Sequence, residues 1–215
     1  MAVSGNYQEL GYLHVPGLIP VEVARVFLNS VKSDLGPGPI DLSGQSKHGA
    51  QLKRPAFEIY GHDYSPMNFF LLGLTPTIST LIGRDLLPTY DYFRIYREGD
   101  VCLVHSDRPS CEHSVSLTLD YSDDEIWELQ VARERTSGAQ PLAESFGPHP
   151  HSSVRMRPGD GVLYQGVHHR HGRVTPNPNR WSAHLFLHFV ERGGPFEDYA
   201  FDKRASTKPV DFAFS

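Results

Sequence analysis

The sequence predicts a mainly β fold, a sandwich or barrel of antiparallel sheet behind a helical N-terminal segment. Three observations carry this reading. Helical periodicity is confined to the first 87 or so residues. From residue 88 the chain breaks into short runs rich in Val, Leu, Tyr and Phe. Gly, Pro, Asp and Ser separate those runs at the close spacing of hairpins and corners.

Pro20 stands where a first helical position belongs, and Ala24, Phe27, Leu28 and Val31 follow at one-face helical spacing. Residues 20–33 are therefore expected to be an amphipathic helix, closed by Gly36-Pro37-Gly38-Pro39. A Gly-, Pro- and polar-rich loop over about 36–55 has the length of a segment that covers a site. Residues 66–83 read as a second helical segment, broken at Pro76. Strands are expected at 90–96, 101–105, 114–121, 127–131, 153–156, 161–165 and 181–189, with an inserted loop over about 132–152. No internal repeat or second boundary appears. Residues 1–215 are expected to form one domain: helical support to about 87, a β core over about 88–192 and a tail over 193–215.

At 215 residues and 39% apolar content the chain can build a substantial core. A net charge of −5, from 20 basic and 25 acidic residues with no long basic run, argues against nucleic acid as a partner. Apolar runs such as Phe69 to Leu72 are too short for a membrane span. No basic stretch followed by an apolar one opens the chain, so a cytoplasmic protein with Cys102 and Cys111 reduced is expected. The oligomeric state is not legible.

The chemistry-bearing residues fall into three groups. His105-Ser106-Asp107 ends an apolar alternating run, and on a continuing strand both side chains point one way. A Gly159-Asp160 turn leads through Val162-Leu163-Tyr164 and Gly166 into His168-His169-Arg170-His171. One histidine of that cluster, with His105 and Asp107, would complete a facial triad for non-haem iron(II). The third group is Arg180 to Phe189: odd positions from Trp181 are apolar, and even positions place Arg180, Ser182 and His184 together. An Arg-x-Ser pair can bind a carboxylate through a guanidinium fork and a hydroxyl. Upstream, Tyr92, Arg94 and Tyr96 alternate with Phe93 and Ile95, giving a polar aromatic face.

With His105-x-Asp107, Gly159-Asp160, His171 and Arg180-x-Ser182 in this order, the chain resembles the iron- and 2-oxoglutarate-dependent dioxygenases, over about residues 88–192. Its His-Ser-Asp-Arg-Pro-Ser-Cys-Glu stretch and His171-x-Arg173 are most similar to small bacterial prolyl-hydroxylase-like members. The resemblance implies a double-stranded β-helix, the cupin-like jelly roll, with metal near one open end. It makes His105, Asp107 and His171 the iron ligands, with His169 in reserve. It places Arg180 and Ser182, joined by the Tyr96 hydroxyl, on the distal carboxylate of 2-oxoglutarate, with Arg173 as the competing candidate. A departure is Gly172, where close relatives often carry an aromatic residue.

The implied reaction consumes O₂ and 2-oxoglutarate, releases succinate and CO₂, and hydroxylates an amino acid, peptide side chain or small metabolite, with no catalytic residue beyond the metal ligands. Asp107 argues against a halogenase, in which a small residue replaces the carboxylate. Arg108, Arg94 and His184 are candidate substrate contacts, and Glu112 and His113 lie shortly beyond Arg108. Two other classes remain open. A non-catalytic cupin-like binding module would need an Asn four positions after a clustered histidine, where Gly172 and Arg173 stand instead. A zinc hydrolase would need a compact zinc motif, and none is present.

Overall fold

The computed structural model describes residues 3–36, 46–47, 49–138 and 140–213. Two antiparallel sheets face one another. Strands β5 (Leu86–Arg97), β7 (His113–Tyr121), β10 (Gly161–Tyr164) and β12 (Trp181–Glu191) form the centre of the larger, in the order β10-β7-β12-β5. The smaller has the order β6-β11-β8-β9, from β6 (Cys102–His105), β8 (Leu129–Arg135), β9 (His151–Val154) and β11 (His169–Arg173). The chain crosses between sheets at nearly every step, which is the double-stranded β-helix.

The N-terminal third is not purely helical. Strands β1 (Ser4–Asn6) and β2 (Tyr12–Val15) extend the large sheet beyond β10, while β3 (Ser46–Lys47) and β4 (Ala56–Tyr60) extend it beyond β5. Both edges of the large central sheet are thus covered. A one-turn helix α1 (Tyr7–Leu10) is capped by the Asn6 side chain and joins β1 to β2. Helix α2 (Val21–Leu35) buries Ala24, Phe27 and Val31 as the periodicity requires, with Pro20 one position before its start. Helix α3 (Asn68–Ile82) runs through Pro76 without a break. Pro76 lies on the solvent side of the helix, and the Leu72 carbonyl that loses its partner belongs to a residue 58% exposed, within reach of water.

Parity along β12 sorts the core. Ala183, Leu185, Leu187 and Phe189 are fully buried and pack with Leu117, Phe93, Phe27, Val31, Ile78 and Ile82 between the large sheet and the helices. The even positions Ser182, His184, Phe186 and His188 face the barrel, whose interior is unusually polar and aromatic. The expected cover over 36–55 lies partly outside the described residues. Its end packs on the barrel, with the Gln51 carbonyl accepting from Leu103 N at 2.8 Å and Leu52 buried beside Tyr96, Cys102 and Trp127. In the loop joining β8 to β9, Ala143 bridges to Val104 of β6.

Asp91 of β5 is 1% exposed, and neither carboxylate oxygen has a hydrogen-bond partner among the described residues. Burial raises its pKa to about 7. Against an unfolded value near 3.9, the native state holds the extra proton, so stability falls as pH rises from about 4 to about 7. Asp91→Asn removes this titration. The wild type is expected to lose roughly 3 kcal/mol relative to the variant across that interval, measurable by urea denaturation at pH 4.5 and pH 8.

Candidate metal centre and co-substrate pocket

His105 is the last residue of β6, and its Cα partner across the ladder is His171 of β11. Cross-strand pairing brings the two rings to 4.4 Å between centroids. Asp107 does not sit on a continuing strand as expected. The strand stops at His105, and Asp107 is placed instead by its N–H, which donates to the Gly166 carbonyl at 2.9 Å. Its carboxylate lies between the imidazoles, with Oδ1 3.5 Å from His105 Nε2 and Oδ2 3.5 Å from His171 Nε2. Gly166 is needed there, because a Cβ would stand 2.4 Å from Asp107 Oδ2.

The outer nitrogens of both rings are engaged. His105 Nδ1 donates to the Leu103 carbonyl at 2.7 Å and His171 Nδ1 to the His169 carbonyl at 3.0 Å. With Nδ1 engaged in this way, Nε2 of each ring faces the carboxylate, the orientation in which protein histidines bind metals. Burial works against a charged Asp107, but His171 and His105 outweigh it and hold the carboxyl well below the usual range. Burial likewise works against a charged His105, while Cys102 and Asp107 outweigh it and push the ring up to about 10. A divalent ion held by His105 Nε2 would release that ring's proton. Two neutral imidazoles and one carboxylate, all within 4.8 Å of one another, are a donor set that fits iron(II).

His169 is buried on the same strand but takes no part, since its Nδ1 bonds the Ala132 carbonyl at 2.8 Å and its ring packs against Gly11. His168 is outside the cluster as well. Asp160, in the turn that set the spacing, is structural: it accepts from Gly17 N and Arg157 N, each at 2.8 Å. Gly172 is required by strand approach, because a Cβ would meet the Cys102 carbonyl at 2.8 Å.

A pocket runs inward from the triad, lined by Tyr92, Arg94, Tyr96, Cys102, Tyr164, Arg173 and Phe186 among others. It holds two guanidinium groups of different standing. Arg94 is neutralised by Glu58, with Nε donating at 2.7 Å, and donates from Nη1 to the Tyr96 hydroxyl at 2.9 Å. Arg173 is 1% exposed and donates to the Trp127 carbonyl and, at 3.4 Å, to Ser116 Oγ. Among the described residues no carboxylate pairs with it.

Arg180 is not in this pocket. Its side chain is 73% exposed and pairs with Asp123, Nε to Oδ1 at 3.1 Å, because residue 180 precedes β12 and the Asn177–Asn179 corner turns it outward. Ser182 does face inward, but its hydroxyl donates to Asn177 Oδ1 at 2.8 Å. Tyr96 is in the pocket. His184 lies behind Arg173, its Nδ1 3.5 Å from Nη2. Arg108 is exposed, 4.3 Å over the Tyr90 ring and 3.6 Å from Asp202. Sequence reasoning did not single out Cys102, Tyr164 and Phe186 as pocket residues, or Glu58 as the acid that occupies Arg94. The inward parity of Phe186 on β12 was the available signal for one of them.

No family model matches the sequence, and no curated protein does. Solved structures match in fold. The non-haem α-ketoglutarate-dependent carbocyclase SnoK from nogalamycin biosynthesis superposes with a TM-score of 0.64 at 13% identity, covering 96% of this chain and 91% of its own. HygX from Streptomyces hygroscopicus, with nickel and 2-oxoglutarate bound, gives 0.61 at 11% identity over 86% and 84%. A Pseudomonas putida prolyl-4-hydroxylase gives 0.58 at 14% identity over 87% and 96%. The chain therefore has the double-stranded β-helix fold shared by these three proteins.

Proposed function

We propose that this protein is an iron(II)- and 2-oxoglutarate-dependent oxygenase that hydroxylates a small molecule or a peptide side chain. The observation that carries the reading is the meeting of His105 Nε2, His171 Nε2 and the Asp107 carboxylate, with both Nδ1 atoms tied to backbone carbonyls. The buried Arg173 guanidinium, with no acid partner among the described residues, shares their pocket.

His105, Asp107 and His171 would hold the iron on one face. When bound, the metal supplies activation of O₂ and oxidative decarboxylation of 2-oxoglutarate to succinate and CO₂. The chain supplies position. The Leu103 and His169 carbonyls keep both imidazoles in the ligating tautomer. Arg173 stands two residues beyond His171 on β11, about 6.5 Å of strand, a step suited to a five-carbon diacid anchored at both ends. Its fork takes the distal carboxylate, in the role that the family resemblance implied for Arg180. Leu129, Tyr164 and Phe186 wall the pocket against water. Arg108, exposed and next to Asp107, would be a substrate contact. In the overall reaction one O₂ gives one oxygen atom to succinate and one to the hydroxylated product.

Among the described residues no helix is long and apolar enough to cross a membrane. Cys102 and Cys111 are buried free thiols, which suits the reducing cytoplasm. Incubating the protein with iron(II), 2-oxoglutarate, O₂ and a metabolite extract is expected to produce a compound heavier by one oxygen, with succinate in equal amount. A new product formed at the same rate without 2-oxoglutarate would overturn the proposal.

A further inference from the structure

Glu112 and His113 lie outside the co-substrate pocket, at the start of β7, beside Glu191 at the end of β12. Glu112 Oε2 accepts from Glu191 N at 2.9 Å, so the three residues are held together across the β7–β12 ladder. One ligand atom from each lies within 4.8 Å of the other two.

His113 is 8% exposed, and its Nε2 is buried with no hydrogen-bond partner. That atom faces Glu112 Oε2 at 3.9 Å, too long for a hydrogen bond. It is the separation of two ligands that share one ion, since donors at about 2.0–2.2 Å from zinc stand about 3–4 Å apart. The other nitrogen, Nδ1, is fixed by the Tyr7 hydroxyl at 2.7 Å, which orients the ring as an outer partner orients a metal-binding histidine. Arg84 pairs with Glu191, at 3.4 Å. Glu112 is 6% exposed, and among the described residues no Lys or Arg pairs with it.

We propose that Glu112, His113 and Glu191 form a second metal site, distinct from the His105, Asp107 and His171 centre, that takes a divalent transition cation. One imidazole and two carboxylates suit zinc or manganese. An ion there would give Nε2 a partner, neutralise the buried carboxylate and clamp β7 to β12. The Glu191 side chain, 30% exposed, gives it a way in from solvent.

The test uses the full chain with the first centre removed, Asp107→Ala/His171→Ala, stripped of metal and titrated with zinc alone. The site predicts close to one zinc per chain and a rise in melting temperature that a chelator reverses. Glu191→Gln or Glu112→Gln in that background should weaken zinc binding by about tenfold or more and remove the thermal shift. Both substitutions preserve shape, and Glu112→Gln keeps an acceptor for Glu191 N. No stoichiometric zinc in the Asp107→Ala/His171→Ala protein would overturn the site. So would zinc binding that is undiminished in both glutamine variants. The outcome does not depend on oxygenase activity, so the second site can fail while the first stands.

Discussion

Asp107→Ala is expected to abolish iron binding and succinate production together. The carboxylate is the one anionic donor of the triad and lies 3.5 Å from each Nε2. Removing it leaves two imidazoles that no anion holds in register. Outer-shell changes at metal sites cost 10–100-fold in affinity, so loss of a direct ligand should exceed about 100-fold. His171→Ala and His105→Ala should behave alike. His169→Ala is the informative control. Its ring fills space against Gly11 and bonds Ala132, so that variant should lose stability and keep its iron. Iron content measured beside melting temperature separates the two outcomes. Iron lost in His169→Ala and retained in His171→Ala would reject the ligand set.

Arg173→Ala is expected to lower 2-oxoglutarate affinity far more than it disturbs iron. Loss of a charge-assisted fork in a shielded pocket costs about 2–5 kcal/mol, part of it from the carboxylate left unpaired. That corresponds to about 30-fold to several thousand-fold in the dissociation constant. Arg173→Lys keeps the charge without the fork and should recover only part of the loss. Arg180→Ala should leave affinity unchanged, because its side chain is 73% exposed on Asp123. Calorimetry on the three variants decides the matter. A large loss in Arg180→Ala with none in Arg173→Ala would reverse the assignment.

The position of Arg180 shows where sequence periodicity stops being informative. Alternation sorted β12 correctly from Ser182 onward, with Leu185 and Leu187 toward the helices and His184 and Phe186 toward the barrel. It could not say where the strand begins. Arg180 lies just before it, in a corner whose geometry is set by hydrogen bonds among Asn177, Asn179 and Ser182. The β11 strand was not predicted because His169-Arg170-His171-Gly172-Arg173 has no apolar alternation. Its order comes from pairing on both sides, with β6 and β8. Tyr12–Val15 and Ala56–Tyr60 are strands for a related reason: they are short segments completed by the edges of a sheet formed later in the chain. The His105 and Asp107 pair was legible as a pair, although a backbone bond to Gly166 rather than strand parity brings the carboxylate to the imidazole.

The direct measurement of the central claim is an anaerobic titration of the purified protein, first with iron(II) and then with 2-oxoglutarate. A facial triad leaves adjacent positions open for a bidentate keto acid. The weak visible charge-transfer band of that chelate should therefore grow to one equivalent of 2-oxoglutarate per iron, and should be absent in Asp107→Ala. Protein shown to hold iron(II) at His105, Asp107 and His171 that gives no band with saturating 2-oxoglutarate would contradict the account.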